Sequence, residues 1–131
     1  MEAGSRMKKI KIKTEKIIKE AVLNGSNTAQ AILDALPVEG TVNRWGDEIY
    51  FSIPVTTSVE ATADDVVSIG DLAYWAPGRA FCIFFGPTPA SFANEPRAAS
   101  PVNVFGRILD DAEIFGEIED GANIRIEAVE A

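Results

Sequence analysis

Apolar and charged residues alternate near the start of the chain, in the run Lys8-Lys9-Ile10-Lys11-Ile12-Lys13. An alternation of period two is typical of a β-strand with one face in the core and the other in water. Lysines on such a strand also discourage pairing with a second molecule. We therefore interpret this basic run as the wet face of a strand, rather than as an arm for nucleic acid or a membrane.

The segment from Glu15 to Leu23 allows two interpretations. Its apolar residues follow one another closely after Thr14-Glu15, as in a second strand. Ile18, Ala21 and Val22 also have helical spacing, so a helix is the alternative. We favour the strand.

The clearest helix of the chain follows the turn dipeptide Asn24-Gly25. Asn27 or Thr28 is predicted to cap it, and Pro37 to end it. The apolar residues between these limits form one stripe of a helix. They are Ala31, Ile32, Ala35 and Leu36.

Beyond residue 37 the pattern predicts strands separated by turns that contain glycine or proline. Strands are predicted at 38–45, 48–55, 72–75, 81–85, 102–108 and 123–129. The run from Phe81 to Phe85 is wholly apolar, as in a strand buried on both faces. Residues 86–102 hold four prolines and are predicted to be an irregular loop, and residues 110–115 a turn or short helix.

Many short strands and one early helix favour a mainly β fold, a small closed β-barrel. The barrel has one helix near the N-terminus and a short helix or turn near the C-terminus. Residues 7–131 are expected to form a single domain. Residues 1–6 (MEAGSR) precede a second methionine and are interpreted as a cloning remnant or disordered leader.

Composition removes much of enzyme chemistry. The 131 residues include no histidine and a single cysteine. Without histidine there is no Ser-His or Cys-His nucleophile pair and no histidine metal site. We expect no metal and no cofactor. Cys82 lies within the apolar run and is predicted to be a buried structural thiol, and the pairs Asp64-Asp65 and Asp110-Asp111 to be solvated.

Charge is unevenly distributed. Residues 1–20 hold seven basic and three acidic residues, a net charge of +4, whereas the remainder holds five basic and seventeen acidic residues, a net charge of −12. This acidic body would repel phosphate backbones, so nucleic acid is not an expected partner. The sequence has neither an apolar run of about eighteen residues nor a signal-peptide h-region, which predicts a cytoplasmic protein that does not enter a membrane.

Three stretches in order carry a family resemblance. They are Arg44-Trp45-Gly46-Asp47-Glu48-Ile49-Tyr50-Phe51, Gly70-Asp71-Leu72-Ala73-Tyr74-Trp75-Ala76-Pro77-Gly78 and Ile83-Phe84-Phe85-Gly86-Pro87-Thr88-Pro89. Together they resemble an uncharacterised prokaryotic family of small proteins with a cyclophilin-like fold. The resemblance covers residues 8 to about 128 and implies a cyclophilin-like barrel.

The parallel with true cyclophilin prolyl isomerases is fainter. It implies that Arg44 stands for their catalytic arginine, that Tyr74 and Trp75 lie beside the peptide groove, and that the pair Phe84-Phe85 floors the proline pocket. Two features of true cyclophilins are missing. Phe51-Ser52-Ile53 replaces their Gln-Gly-Gly, and no tryptophan or histidine stands between Ser91 and Val102.

We derive two main functional hypotheses from these residues. The first is a module that binds a peptide segment or small ligand in an aromatic-lined groove. That groove is formed by Trp45, Tyr74, Trp75, Phe85 and Thr88. The alternative is a peptidyl-prolyl cis-trans isomerase that uses Arg44 as its donor. A third interpretation is an interaction subunit whose acidic face binds a basic partner. The oligomeric state does not follow from the sequence.

Overall fold

The computed structural model describes residues 8–129, so the predicted leader at 1–6 lies outside the described residues. In these residues ten strands accompany one α-helix, α1, at Asn27–Ala35. The strands are β1 (Lys9–Lys13), β2 (Ile18–Leu23), β3 (Val38–Thr41), β4 (Asn43–Arg44), β5 (Glu48–Ser52), β6 (Asp64–Val66), β7 (Asp71–Trp75), β8 (Ala80–Phe84), β9 (Arg97–Ile108) and β10 (Asn123–Ala128). Short 3-10 helices lie at Ala76–Gly78 and Ala112–Glu117. The second of these confirms the predicted short helix.

The strands form one antiparallel sheet in the order β3-β10-β1-β2-β9-β7-β8-β5-β4, and β6 pairs with β9 beside it. The predicted closed barrel is wrong. β3 pairs with β10 and β4 pairs with β5, and within residues 8–129 no ladder joins these two ends of the sheet. The ends lie close to one another because only Val42 separates β3 from β4 along the chain. The sheet is therefore strongly curved but open.

The basic strand β1 is confirmed. Ile10 and Ile12 are completely buried, while the lysines between them face outward. β1 pairs with both β10 and β2, so it is not an edge strand and its lysines are not needed to prevent pairing with a second molecule. The favoured strand interpretation of the next segment is also correct, since β2 continues the meander.

Helix α1 begins one residue earlier than the predicted caps. Ser26 is the N-cap, and its hydroxyl accepts a hydrogen bond from the backbone N–H of Ala29 at 3.1 Å. Asn27 and Thr28 are instead the first helical residues. The helix packs Ala29 and Ile32 into the main hydrophobic core.

Strand β5 separates two cores. Its residues Ile49 and Phe51 point into the main core that α1 covers. The alternate residues Glu48 and Tyr50 point to the opposite face of the sheet. There Tyr50 packs against a second, smaller core. That core consists of Val67, Ala73, Ala80, Cys82, Phe84, Ala98 and Val102.

Strand β8 lies between β7 and β5 and all five of its residues are buried, as the apolar run predicts. Alternate residues of β8 therefore enter the two different cores. The predicted irregular stretch ends earlier than expected, because β9 begins at Arg97. Pro101 lies inside β9 and is exposed, close to the shift of register between β9 and β6. Proline is tolerated at such irregular positions of a sheet.

Candidate functional site

A cavity of about 240 Å³ opens beside the smaller core. Residues of β5, β7 and β9 and of the turn before β5 line it. They are Trp45, Glu48, Tyr50, Trp75, Ala98, Ala99 and Val102. Three aromatic side chains and one carboxyl group thus share a largely apolar concavity, the usual composition of a small-ligand site.

A tight turn holds Trp45 at the mouth of the cavity. The backbone N–H of Trp45 donates to the carbonyl of Glu48 at 2.9 Å, and the N–H of Glu48 donates back at 3.2 Å. Gly46 within this turn has φ +61°, in the left-handed region. A Cβ atom there would lie 2.9 Å from Cα of Thr88, so only glycine fits.

Trp75 at the end of β7 is held from two sides. Its indole N–H donates to the hydroxyl of Ser100 at 2.8 Å. Gly78 packs directly on the ring, because a Cβ atom at that position would lie 2.9 Å from Cε3 and Cζ3 of Trp75. The ring is thus fixed before any ligand arrives, which lowers the entropy cost of binding.

Glu48 is the only charged residue among those that line the cavity. It is 5% exposed, and Cys82 on the adjacent strand β8 is its neighbour on the same face of the sheet. The thiol of Cys82 donates to the carbonyl of Ala80 at 3.8 Å. Burial raises the pKa of Glu48 from 4.5 to about 7, and the neighbouring Cys82 thiol offsets a part of this effect. In residues 8–129 no arginine or lysine forms an ion pair with Glu48. The cavity therefore holds a buried carboxyl group without a counter-charge.

Cys82 is buried, as predicted. Burial, followed by the neighbouring Glu48, raises the pKa of its thiol well above the usual value. The thiol therefore stays protonated at neutral pH and is not an activated nucleophile.

Arg44 lies outside this cavity. Its Nε donates to the carbonyl of Gly46 at 2.5 Å, and its Nη1 to the carbonyls of Gly116 and Ile118, both at 3.0 Å. Its Nη2 donates to Asp47 at 3.2 Å. These bonds use four of the five N–H groups of a guanidinium.

The three remaining predicted site residues are packed elsewhere. Phe85 is 4% exposed and lies beneath the guanidinium of Arg44. Tyr74 is 1% exposed, and its hydroxyl donates to the carbonyl of Val55 at 2.6 Å within the main core. Thr88 is buried and its hydroxyl donates to the carbonyl of Arg97. Of the predicted residues, the structure thus brings only Trp45 and Trp75 together at one cavity.

Sequence reasoning missed Glu48 and Tyr50. A signal was present in the alternation of β5. The apolar residues Ile49 and Phe51 share one face of this strand, which leaves Glu48 and Tyr50 on the other. The neighbouring strand β8 is apolar on both faces, which indicates that both faces of the sheet are covered here. The face that carries Glu48 and Tyr50 is therefore also expected to be buried. A carboxylate at such a position marks an unusual environment.

Two further findings concern membrane-spanning helices and metal sites in the described residues. Within residues 8–129 no helix has both the length and the apolar character needed to cross a membrane. The same residues contain no group of three or more histidine, cysteine, aspartate or glutamate side chains arranged to hold a metal ion.

Comparison with known proteins identifies the family. The family model described as cyclophilin-like matches residues 8–127. The solution structure of the hypothetical protein AF2241 from Archaeoglobus fulgidus is 43% identical, with a TM-score of 0.82, and the match covers 96% of this chain and 99% of that one. A search of curated proteins gives no match. The resemblance of the three sequence stretches is therefore confirmed, and this chain belongs to the cyclophilin-like family.

Proposed function

We propose that this protein is a binding module that takes a small ligand, or a single side chain of a peptide, into the cavity between Trp45 and Trp75. The observation that carries the proposal is the cavity itself, about 240 Å³ with three aromatic walls and one buried carboxyl group. Aromatic walls bury a large apolar area at small entropy cost, and a single polar group gives orientation. The volume suits a compact group rather than a long peptide.

Both tryptophans of the chain line this cavity. A protein NMR spectrum therefore contains two indole N–H signals, and each reports on the proposed site. The experiment adds a set of small organic fragments and short proline peptides to ¹⁵N-labelled protein. Binding is expected to shift both indole signals in a saturable way.

A blocking variant tests whether the shifts arise in the cavity. Ala99 lines the cavity and is exposed, so Ala99→Phe narrows the opening with little effect on the fold. Ala61→Phe is the matched control, because Ala61 is also exposed but lies outside the cavity. The proposal predicts loss of binding in the first variant only. Equal binding by both variants, or no ligand from the whole set, would overturn it.

The isomerase alternative depends on Arg44. The contact between Arg44 and Phe85 supports it, since a cyclophilin site also combines an arginine with an apolar floor. Against it, four N–H groups of Arg44 already bind acceptors within the protein, and its guanidinium covers the Phe85 ring. We therefore place the binding module first.

A protease-coupled prolyl isomerisation assay separates the two functions. The binding module predicts no acceleration over the uncatalysed rate for a panel of proline peptides. Acceleration that disappears in Arg44→Ala, measured where that variant is shown to be folded, would establish the isomerase instead. Acceleration that survives the substitution would establish an enzyme with a different donor.

A further inference from the structure

We infer that the ligand of this cavity is a small organic cation, whose ammonium group binds the carboxylate of Glu48 between the rings of Trp45, Tyr50 and Trp75. This inference rests on the proposed function and adds the chemical class of the ligand. Three features of the site, as the described residues form it, support this inference: the unpaired carboxyl group, the lack of a lysine or arginine among the lining residues, and the aromatic walls.

The carboxyl group of Glu48 lacks an adequate partner in the described residues. Only 5% of Glu48 is exposed to solvent. Its neighbour Cys82 carries a thiol, which is a weak hydrogen-bond donor. Buried carboxylates are nearly always paired with a cation or with several strong donors, because desolvation of the charge is costly. A ligand that brings a positive charge and N–H donors would satisfy this group.

Residues 8–129 supply no cation to the cavity. Arg97 precedes the lining residue Ala98, yet its guanidinium pairs with Asp65 at 2.8 Å and with Glu95 at 3.1 Å. It also stacks on the ring of Phe92 at 4.2 Å. The guanidinium of Arg97 is thus already occupied by Asp65, Glu95 and Phe92. No lysine or arginine is among the described residues that line the cavity.

The aromatic walls favour a cation as well. The faces of tryptophan and tyrosine rings attract ammonium groups, and enclosure by several rings is the usual way in which proteins bind quaternary ammonium. The net charge of −8 further raises the local concentration of cations around the molecule. A neutral ligand of the same shape would gain neither contribution.

The decisive experiment compares two probes of the same shape. Choline carries a quaternary nitrogen, and its neutral analogue carries a carbon atom in that place. Titration at about pH 8, where Glu48 is ionised, follows the two indole N–H signals of the wild-type protein. Choline is expected to bind at least about tenfold more tightly than the neutral analogue. The small primary amine propylamine, compared with propanol, repeats the test with an ammonium group that carries N–H donors.

Charge-neutral variants assign the effect to Glu48. Glu48→Gln keeps the shape of the side chain and is expected to remove the preference for the cation. Glu113→Gln removes one negative charge at an exposed position of the C-terminal 3-10 helix and is expected to leave the preference intact. Loss of preference in both variants would mean that net charge alone attracts the probe, which would overturn the inference. If Glu48→Gln does not fold, the comparison of probes on the wild-type protein still overturns the inference when the charged and the neutral probe bind equally.

The outcomes separate this inference from the proposed function. Equal binding of the charged and neutral probes in both pairs would overturn the cation inference and leave the binding module in place. If the charged probes do not bind while neutral fragments shift the indole signals, the cation inference is likewise overturned and the binding module stands. Failure of every probe and every fragment would overturn both.

Discussion

The guanidinium carbon of Arg44 lies 5.0 Å from the centre of the Phe85 ring. The same ring packs against Phe115, with 6.5 Å between the ring centroids. Arg44 therefore connects β4 to the residue after β8 and, through the carbonyls of Gly116 and Ile118, to the C-terminal 3-10 helix. Segments far apart in sequence meet at this one side chain, which gives Arg44 a role in holding the C-terminal 3-10 helix against β4.

Arg44→Ala is expected to lower the free energy of unfolding by about 2 kcal/mol, because four hydrogen bonds and a cation–π contact are lost from a partly buried group. Urea denaturation followed by tryptophan fluorescence measures the loss. Arg44→Lys keeps the charge over the ring but not the planar fork, so it is expected to recover only part of the stability. A variant as stable as the wild type would contradict the structural role and would leave Arg44 free for catalysis.

Gly46 is expected to resist substitution for a conformational reason. Gly46→Ala places a Cβ atom on a residue with φ +61° and 2.9 Å from both Cα of Thr88 and Cδ of Pro89. We expect a loss of at least about 1 kcal/mol in stability and a displacement of the neighbouring Trp45. The second effect should appear as a changed indole N–H signal of Trp45.

Gly25→Ala is the matched control for this substitution. A Cβ atom at Gly25 meets no atom within 4 Å, and its φ is not in the left-handed region. The change is expected to be neutral or stabilising by about 0.5 kcal/mol, since it restricts the unfolded chain. Equal losses for the two variants would contradict the conformational requirement for glycine at position 46.

A buried amide anchors the long connection after β5. Asn103 on β9 is 2% exposed, and its Nδ2 donates to Thr28 at 3.1 Å and to the carbonyl of Ser58 at 2.9 Å. Its Oδ1 accepts from the N–H of Glu60 at 2.8 Å. Asn103→Ala removes three hydrogen bonds at once, two of which hold the partly buried backbone of Ser58 and Glu60, so we expect a loss of about 3 kcal/mol.

Hydrogen exchange locates this effect. The amide of Glu60 is expected to exchange faster in Asn103→Ala, together with its neighbours in the connection. Amides of β1 and β10, which lie across the sheet, should change only by the global loss of stability. A uniform increase over the whole chain would show that the network has no local role.

The periodicity of apolar residues predicted the strands and the helix that bury one face and expose the other. The alternation of β1 buries one face, as predicted. The predicted stripe of α1 agrees in part: Ile32 is buried and Ala31, Ala35 and Leu36 are half-buried against the main core, whereas the buried Thr28 and Ala29 were not in the stripe. The start of β9 was missed because Pro96 and Pro101 indicate a loop, whereas the strand tolerates the exposed Pro101 where its register shifts. Closure of the sheet was expected from the number of strands, but it depends on hydrogen bonds between the distant ends, which no local pattern encodes.

The site could be predicted only in part, for a related reason. Trp45 and Trp75 were both predicted to line an aromatic groove, and both line the cavity. Tyr74 precedes Trp75 on the same strand, so its side chain points to the opposite face and into the main core. Glu48 was missed because no local pattern distinguishes a buried acidic residue from a solvated one. The residues of β9 that line the cavity with it, Ala98, Ala99 and Val102, are distant in sequence.

The buried carboxyl group of Glu48 predicts a distinctive pH dependence of stability. Its pKa is about 7 in the folded protein against 4.5 in the unfolded chain, so the folded state binds the extra proton between these values. Stability is therefore expected to fall as the pH rises from about 4.5 to about 7, by about 3 kcal/mol, and then to level off. Glu48→Gln cannot ionise, and its free energy of unfolding should lack this fall.

The difference between the wild-type and Glu48→Gln curves isolates the group. Burial also raises the pKa of Asp71, but that contribution is common to both proteins and cancels. Glu95, whose pKa is lowered to about 2 chiefly by the backbone N–H of Phe92, affects stability only below pH 4.5.

The buried amide of Glu48→Gln changes the free energy of unfolding by an amount that does not depend on pH. The slope of the difference between the two curves, rather than its size, is therefore diagnostic. Urea denaturation from about pH 4 to about pH 8 should show this difference change steadily in favour of the variant until about pH 7. Parallel curves would mean that Glu48 is solvated or already paired, and the ammonium site would then lose its unpaired carboxyl group.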